Sequence, residues 1–307
     1  MYRLQGYKIM HIHWLYGLGI TRRLPFYRKL SFIYALLFLG LTRLFGYKIV
    51  WTVHNTLPHS QITSDDLGLA KKLSRVANTK IAHSRFTIAQ MKEYGFDTNN
   101  ISLIPHGNYS GVYPSNTTRL EARKQLAIKD NEIVILFFGL IRTYKGVDDL
   151  LDAFERLDAK NTRLIIAGKC VDKNLRKQIR LAAASYSVDF YEGHIANEDV
   201  AKFFRAADVV CLPFKSITTS GSILLALTFG KPIIAPRAGA LADLPESVGY
   251  LYEPKQPEAL YNSLQKAIEN KVYLNKVGKK ALVYAKALSW DKIAEQTFKV
   301  YKELLSH

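Results

Sequence analysis

The chain has 307 residues, 48% of them apolar and 22% charged, which fits about two globular domains and excludes a disordered tail protein, a collagen or a coiled coil. Its 43 Lys and Arg outweigh 26 Asp and Glu to give a net charge of +17, unevenly spread: residues 1–118 carry 14 basic and 4 acidic side chains, the remainder 29 and 22. Such a field attracts phosphorylated substrates, anionic lipid surfaces or nucleic acid, while two cysteines, Cys170 and Cys211, are too few for a disulfide framework and point to a reducing, intracellular setting.

Met1–Lys8 is followed by neither a long apolar core nor a small-residue cleavage site, so no cleavable signal is expected. The first strand expected is Lys8–His13. The most apolar stretch, Leu30–Thr42, lies between Lys29 and Arg43. It is shorter than the roughly 20 residues that a spanning helix needs. It reads as a buried helix of a soluble domain or as a helix lying on a membrane surface, with Arg22, Arg23, Arg28, Lys29 and Arg43 meeting headgroups, and the two are compatible if one face is buried and the other touches lipid.

Further strands are expected at Lys48–His54, Lys80–His83, Ile101–Pro105, Ile133–Phe138, Arg163–Ala167, Val188–Tyr191, Val209–Pro213, Pro232–Pro236 and Gly249–Tyr252. Several are continuous Val/Ile/Leu/Phe runs, the pattern of parallel strands buried on both faces. Helical periods lie between them. Val147, Leu150, Leu151, Phe154 and Leu157 form one apolar stripe; Val200, Phe203, Phe204 and Ala207 form another. Strand–helix alternation of this kind implies βαβ units and doubly wound sheets. A crowd of turn residues, Asn108, Ser110, Gly111, Pro114, Ser115 and Asn116, marks a boundary near 115. The expected organisation is a basic N-terminal domain over 1–115, a second domain over 116–288, and a helix over 289–307 returning towards the first. The first domain shows only four strand candidates and reads as shortened.

In a doubly wound sheet, ligands bind at the switch point, where the chain leaves two neighbouring strands in opposite directions. Those strands are expected to be Ile133–Phe138 and Val209–Pro213. Two loops then meet. One runs Gly139-Leu-Ile-Arg142-Thr-Tyr-Lys145-Gly146; the other includes Thr218, Thr219, Ser220, Gly221 and Ser222 and opens an apolar helix over Ile223–Phe229. A Ser-Gly-Ser helix start offers free N–H groups, hydroxyls and a positive dipole end. Arg142 can hold phosphate oxygens bidentately and Lys145 adds a point charge. Together they suit a diphosphate. His54, followed by Asn55, ends a buried strand and is a cleft candidate; His11 and His13 alternate on their own strand. No Asp-x-Asp metal motif occurs, and the histidine spacing indicates no metal site.

The stretch Phe137–Gly146, the run Ala207-Asp-Val-Val-Cys-Leu-Pro213 leading to Gly230-Lys-Pro-Ile-Ile-Ala-Pro236, Leu288-Ser-Trp290, Trp51-Thr-Val-His54-Asn55 and Ile104-Pro-His-Gly107 together resemble glycosyltransferase family 4. The resemblance spans roughly residues 7–305. It implies a GT-B-like α/β fold, two Rossmann-like doubly wound domains facing a cleft, with a nucleotide-sugar donor held mainly by the second. It implies that Arg142 and Lys145 bind the donor diphosphate and stabilise its charge on departure, that Gly139, Thr219, Ser220, Gly221 and Ser222 line the phosphates, and that His54 lies near the donor sugar. No metal or cofactor is expected beyond the donor itself. The family places two glutamates eight positions apart around this helix, and here those positions are Ile217 and Leu225. Leu225 is expected at the cleft edge.

The expected function is transfer of a sugar from a nucleotide diphosphate to a glycan or lipid-linked glycan in polysaccharide or glycoconjugate assembly. The enzyme would be cytoplasmic, peripheral on an anionic inner membrane face. The alternatives are an inactive or partner-dependent donor-binding subunit and another GT-B enzyme such as a nucleotide-sugar epimerase. Nucleic acid is not an expected partner, since no recognition motif or stacking platform is present.

Overall fold

The computed structural model describes residues 6–14, 25–58, 62–113, 116–157, 160–217 and 220–306. In chain order the elements are β1 (Ile9–Ile12), α1 (Pro25–Leu44), β2 (Lys48–Val53), α2 (Asp66–Val76), β3 (Thr79–Ala82), α3 (Arg85–Glu93), β4 (Ile101–Leu103), α4 (Arg119–Gln125), β5 (Ile133–Phe138), α5 (Val147–Glu155), β6 (Thr162–Gly168), α6 (Lys173–Ser185), β7 (Val188–Glu192), α7 (Asn197–Ala206), β8 (Val209–Cys211), α8 (Gly221–Thr228), β9 (Ile233–Pro236), β10 (Gly249–Tyr252), α9 (Ala259–Glu269), α10 (Lys271–Ala287) and α11 (Trp290–Ser306). Each strand candidate of the sequence holds a strand, within one or two residues.

The chain forms two compact units: one runs to His106 and resumes at Trp290, and the other is Gly107–Ser289. The junction therefore lies at 106/107 rather than near 115. The reason is Asn108, buried in the second unit, where its N–H donates to the Leu288 carbonyl (2.9 Å) and its Nδ2 to the Ala285 carbonyl (2.8 Å). The Tyr109 N–H follows, donating to Thr228 Oγ1 at 3.1 Å. The turn residues mark a loop on the surface of that unit, not its edge.

The first unit holds a parallel four-stranded sheet in the order β1-β2-β3-β4, with Ile12 opposite Trp51 and Val53 opposite Ala82. Among the described residues these four strands follow one another across the sheet in chain order. Alternate residues of β2 point to opposite faces. Ile49, Trp51 and Val53 pack with Ala35 and Leu39 of α1, Leu69 and Leu73 of α2, and Met91 of α3. Val50, with Ile81 and Ile104, packs against Ile293 and Val300 of α11. The continuous apolar reading of β2 is thus explained by a C-terminal helix covering the second face.

Helix α1 is apolar on both sides. Ser31, Ala35, Leu39 and Thr42 are buried, whereas Phe26, Leu30, Ile33, Leu37, Leu41 and Leu44 form an exposed stripe on the opposite face. Among the described residues no helix is long and apolar enough to cross a membrane.

The second unit has a six-stranded parallel sheet in the order β10-β9-β8-β5-β6-β7, a doubly wound sheet whose chain direction reverses between β5 and β8. Phe138 lies opposite Ala167, and Ile135 opposite Val209. The core fills both faces, with Ile135, Phe137, Leu164, Phe204, Ile223 and Leu225 among its buried side chains. Asp208 anchors the amino end of the sheet: it accepts from Arg119 (2.7 Å), Arg123 (3.3 Å) and the Val134 N–H (2.9 Å).

Candidate functional site

In the second unit, the carboxyl ends of β5, β6 and β8 converge through glycines that no other residue replaces. Gly168 (φ +147°) approaches the Gly139 carbonyl so closely that a Cβ would lie 1.9 Å from its oxygen. Gly146 (φ +69°) closes the Thr143–Lys145 turn against the Pro213 carbonyl, where a Cβ would lie at 2.0 Å. A Cβ on Gly139 (φ +118°) would lie 3.0 Å from Ser222 Oγ and 3.4 Å from Lys145 Nζ. Gly139, Lys145 and Ser222 therefore surround one small space at the switch point.

The charge around that space is one-sided. Lys145 is only 9% exposed and has no ion pair among the described residues; its ammonium lies 5.9 Å from the centroid of Phe214. Burial, and then the neighbouring Arg142 cation, pull its pKa down to about 8. Arg142 is exposed and also lacks an ion pair among the described residues. The nearby acids Asp148 and Asp149 are taken up by Lys215, at 2.6 and 3.2 Å. Two cations thus remain unopposed beside a helix start, a setting that an anion completes.

At that helix start, Ser220 Oγ caps α8 by accepting from the Ile223 N–H at 3.3 Å. The N–H groups of Gly221 and Ser222 have no hydrogen-bond partner among the described residues. Gly221 lies beneath the Tyr109 hydroxyl, 2.5 Å from where a Cβ would stand. The structure thus brings Gly139, Lys145, Gly221 and Ser222 to one place, with Arg142 on the same turn and Ser220 acting as the cap. Thr219 lies outside the described residues. Leu225 corrects the expectation of a cleft edge: it is 6% exposed and belongs to the core, because α8 is apolar on nearly every side and packs inward. Ile217 is half-buried against the same core.

The first unit carries a second constellation. A histidine follows each of its four strands: His13, His54, His83 and His106. Their rings form a chain along the carboxyl edge of the sheet, His13–His54 at 5.4 Å, His54–His83 at 5.1 Å and His83–His106 at 5.7 Å between centroids. Trp14 stacks on His54 (4.7 Å, 11°), and Trp290 meets His106 edge-on (5.5 Å). Burial, followed by the like tendency of His83 and its other neighbours, lowers the His54 pKa to about 4. Burial and then His13 do the same to His11. Both are neutral imidazoles near pH 7. Among the described residues no cluster of three or more His, Cys, Asp or Glu is placed to hold a metal ion. His54, His11 and His13 are the histidines expected from the sequence as candidates, and His83 and His106 join them here. The recurrence of histidine at strand ends was the available signal.

A model of the family described as glycosyl transferases group 1 matches residues 118–304. The GDP-mannose:glycolipid 4-beta-D-mannosyltransferase of Xanthomonas campestris pv. campestris is 27% identical over 269 residues, which is 85% of this chain and 71% of that one. Among solved structures, sucrose-phosphate synthase from Thermosynechococcus elongatus superposes with a TM-score of 0.78 at 23% identity, over 99% of this chain and 76% of that one. HepE of Anabaena in complex with UDP gives 0.75 at 21%, over 89% and 76%. These likenesses establish the GT-B fold.

Proposed function

We propose that this chain, which belongs to the group 1 glycosyl transferases, moves a sugar from a nucleoside-diphosphate donor to a glycan or lipid-linked glycan. The observation that carries the reading is the pair of cations, buried Lys145 and exposed Arg142, without a carboxylate partner among the described residues, beside N–H groups of Gly221 and Ser222 that have no partner among those residues either. A diphosphate supplies the missing charge. As the bond between sugar and phosphate breaks, negative charge grows on the departing diphosphate, and fixed cations and N–H dipoles stabilise it without reorganising. The two side chains thereby neutralise the leaving group without calling on a divalent metal. His54 contributes a neutral imidazole, a hydrogen-bond acceptor for a sugar or acceptor hydroxyl. A relative's name, with GDP-mannose as donor and glycolipid as acceptor, supports the same substrate classes.

The acceptor proposed is lipid-linked, met at the cytoplasmic face of an anionic membrane. The exposed stripe of α1 with Arg28, Lys29 and Arg43 supports this: apolar side chains enter the acyl boundary while cations meet headgroups. Leu225 in the core, where the family carries a glutamate, favours a second reading, a donor-binding subunit that needs a partner for turnover. A panel of nucleotide sugars, assayed by calorimetry and for sugar transfer to lipid-linked glycans, tests both. Saturable binding with transfer supports the enzyme. Binding without transfer supports the subunit. No nucleotide binding refutes both.

A further inference from the structure

The second unit carries a cavity of about 530 Å³ apart from the switch-point site. One wall is a single face of α5, where Asp149, Asp152, Ala153 and the capping Arg156 stand three or four residues apart. The facing wall is the segment from Tyr252, at the end of β10, to Tyr261, in the first turn of α9, the helix that packs beside α5. Phe214 and Lys215, which follow β8, complete the lining. None of Gly139, Arg142, Lys145, Ser220, Gly221 and Ser222 belongs to it. Phe214 adjoins both places, since its ring centroid lies 5.9 Å from the Lys145 ammonium.

Both cations of the cavity are already paired. Lys215 holds Asp148 and Asp149, and Arg156 holds Glu258 while its guanidinium lies 4.8 Å from the Tyr261 ring centroid. Glu258 opens α9 in a left-handed backbone (φ +61°), which a residue with a side chain seldom adopts. Other groups are uncommitted. Among the described residues the Asp152 carboxylate, the Gln256 amide and the hydroxyls of Tyr252 and Tyr261 make no hydrogen bond or ion pair. Burial, then Cys211 and Asp149, push the Tyr252 pKa up, so its hydroxyl keeps the proton and can donate. This set selects among ligands. A phosphate needs an unpaired cation, which the lining lacks. An apolar molecule would cover these polar groups and leave them without partners. A sugar offers C–H faces that pack on aromatic rings and hydroxyls that both donate and accept, and the hydroxyls, amide and carboxylate present here answer them. The volume suits a small ligand, for which sites run to roughly 300–1,000 Å³.

We propose that this cavity is a saccharide site, separate from the diphosphate space. The C–H face of a sugar ring packs against Tyr252 and Tyr261. Its hydroxyls donate to Asp152 and exchange hydrogen bonds with Gln256 and the two tyrosine hydroxyls. Binding there rests on the cavity alone. Its consequence for turnover rests on the transferase reading above: a glycan anchored at this site stays with the enzyme, and the local concentration of its ends rises.

The test is titration of the full chain with neutral saccharides (glucose, mannose, N-acetylglucosamine and cellobiose) by saturation-transfer NMR and calorimetry, with spermidine and inorganic diphosphate as controls. At least one saccharide should saturate the parent. Asp152→Ala combined with Gln256→Ala should weaken it about tenfold or more, and Tyr252→Phe, which keeps the ring, about two- to tenfold. Both variants should keep the parental melting transition and diphosphate affinity. With a glycan acceptor, the double variant should raise the acceptor KM and leave kcat unchanged. No saturable binding at millimolar saccharide overturns the site, as does binding that the variants leave unaltered. Spermidine binding in place of sugars, lost with Asp152, marks a cation site and overturns the saccharide reading. Displacement of the saccharide by inorganic diphosphate overturns the separation of the two sites. If the parent transfers no sugar, the transferase reading falls and the consequence for turnover with it, while the titrations still decide whether the saccharide site exists.

Discussion

Replacing Lys145 with methionine should make the protein more stable and its diphosphate binding weaker. The cation is buried without a counter-charge among the described residues, and its pKa falls from 10.5 to about 8, burial being the larger cause and Arg142 the second. At roughly 1.4 kcal/mol per factor of ten, holding that charge costs about 3 kcal/mol near neutral pH. Methionine keeps the chain length and the contact with the Phe214 side, so packing is conserved. The gain expected is about 2–3 kcal/mol, or roughly 4–10 °C in Tm for a unit of this size. The sign with pH follows. Between about pH 8 and 10.5 the unfolded chain binds a proton at this lysine that the folded chain does not, so parental stability rises with pH there, and the advantage of methionine fades over the same range. The ligand acts oppositely. Losing a charge-assisted bond weakens diphosphate binding about ten- to a hundredfold. At a hundredfold excess over the parental Kd, a nucleoside diphosphate adds about 2.7 kcal/mol to the parent. A variant binding thirtyfold more weakly gains about 0.9. Differential scanning fluorimetry with and without ligand, beside calorimetry, reads both effects. A variant that melts below the parent, or that binds the diphosphate equally well, refutes the argument that an unpaired cation is held there for an anion.

Arg142→Ala should weaken diphosphate binding roughly tenfold with Tm nearly unchanged, because the side chain is exposed and without an ion pair; calorimetry with a thermal melt checks this. Diphosphate affinity should hold steady below about pH 8 and fall above it as Lys145 deprotonates, so a Kd that is flat through pH 9.5 would sink that assignment. Leu225→Glu puts an unpaired carboxylate in the core and should cost several kcal/mol, seen as a collapsed melting transition, whereas Leu225→Met should cost under about 1.5. Gly168→Ala should destabilise by more than about 2 kcal/mol in urea titration, since its Cβ would meet the Gly139 carbonyl at 1.9 Å in a left-handed backbone. Leu37→Asp with Leu41→Asp should abolish sedimentation with anionic vesicles and leave Tm within about 1 °C of the parent, as both side chains are exposed; equal sedimentation would show that the stripe does not meet lipid.

The strands were legible from sequence because a strand buried on both faces leaves a continuous apolar run, as Ile133–Phe138 and Val209–Cys211 do. The Gly139–Gly146 loop was legible for a related reason: Gly139, Arg142, Lys145 and Gly146 stand close together in the chain, and a local turn needs only local residues. What the sequence alone left open depended on residues distant in the chain. The covering of Val50 by Ile293 and Val300 joins positions some 240 residues apart, and no local pattern announces it. The junction moved from 115 to 106 because Asn108 finds its hydrogen-bond partners at Ala285 and Leu288. Leu225 could not be assigned to core or cleft from an all-apolar helix, since periodicity carries orientation only when polar residues mark the other face. The histidine row was written at four strand ends, yet only parallel pairing in the order β1-β2-β3-β4 lines those ends up along one edge and brings His13 and His54 within a hydrogen bond of each other. Tertiary structure likewise decided which cations are paired: Lys215 reaches back to Asp148 and Asp149, while Arg142 and Lys145 have no carboxylate partner among the described residues.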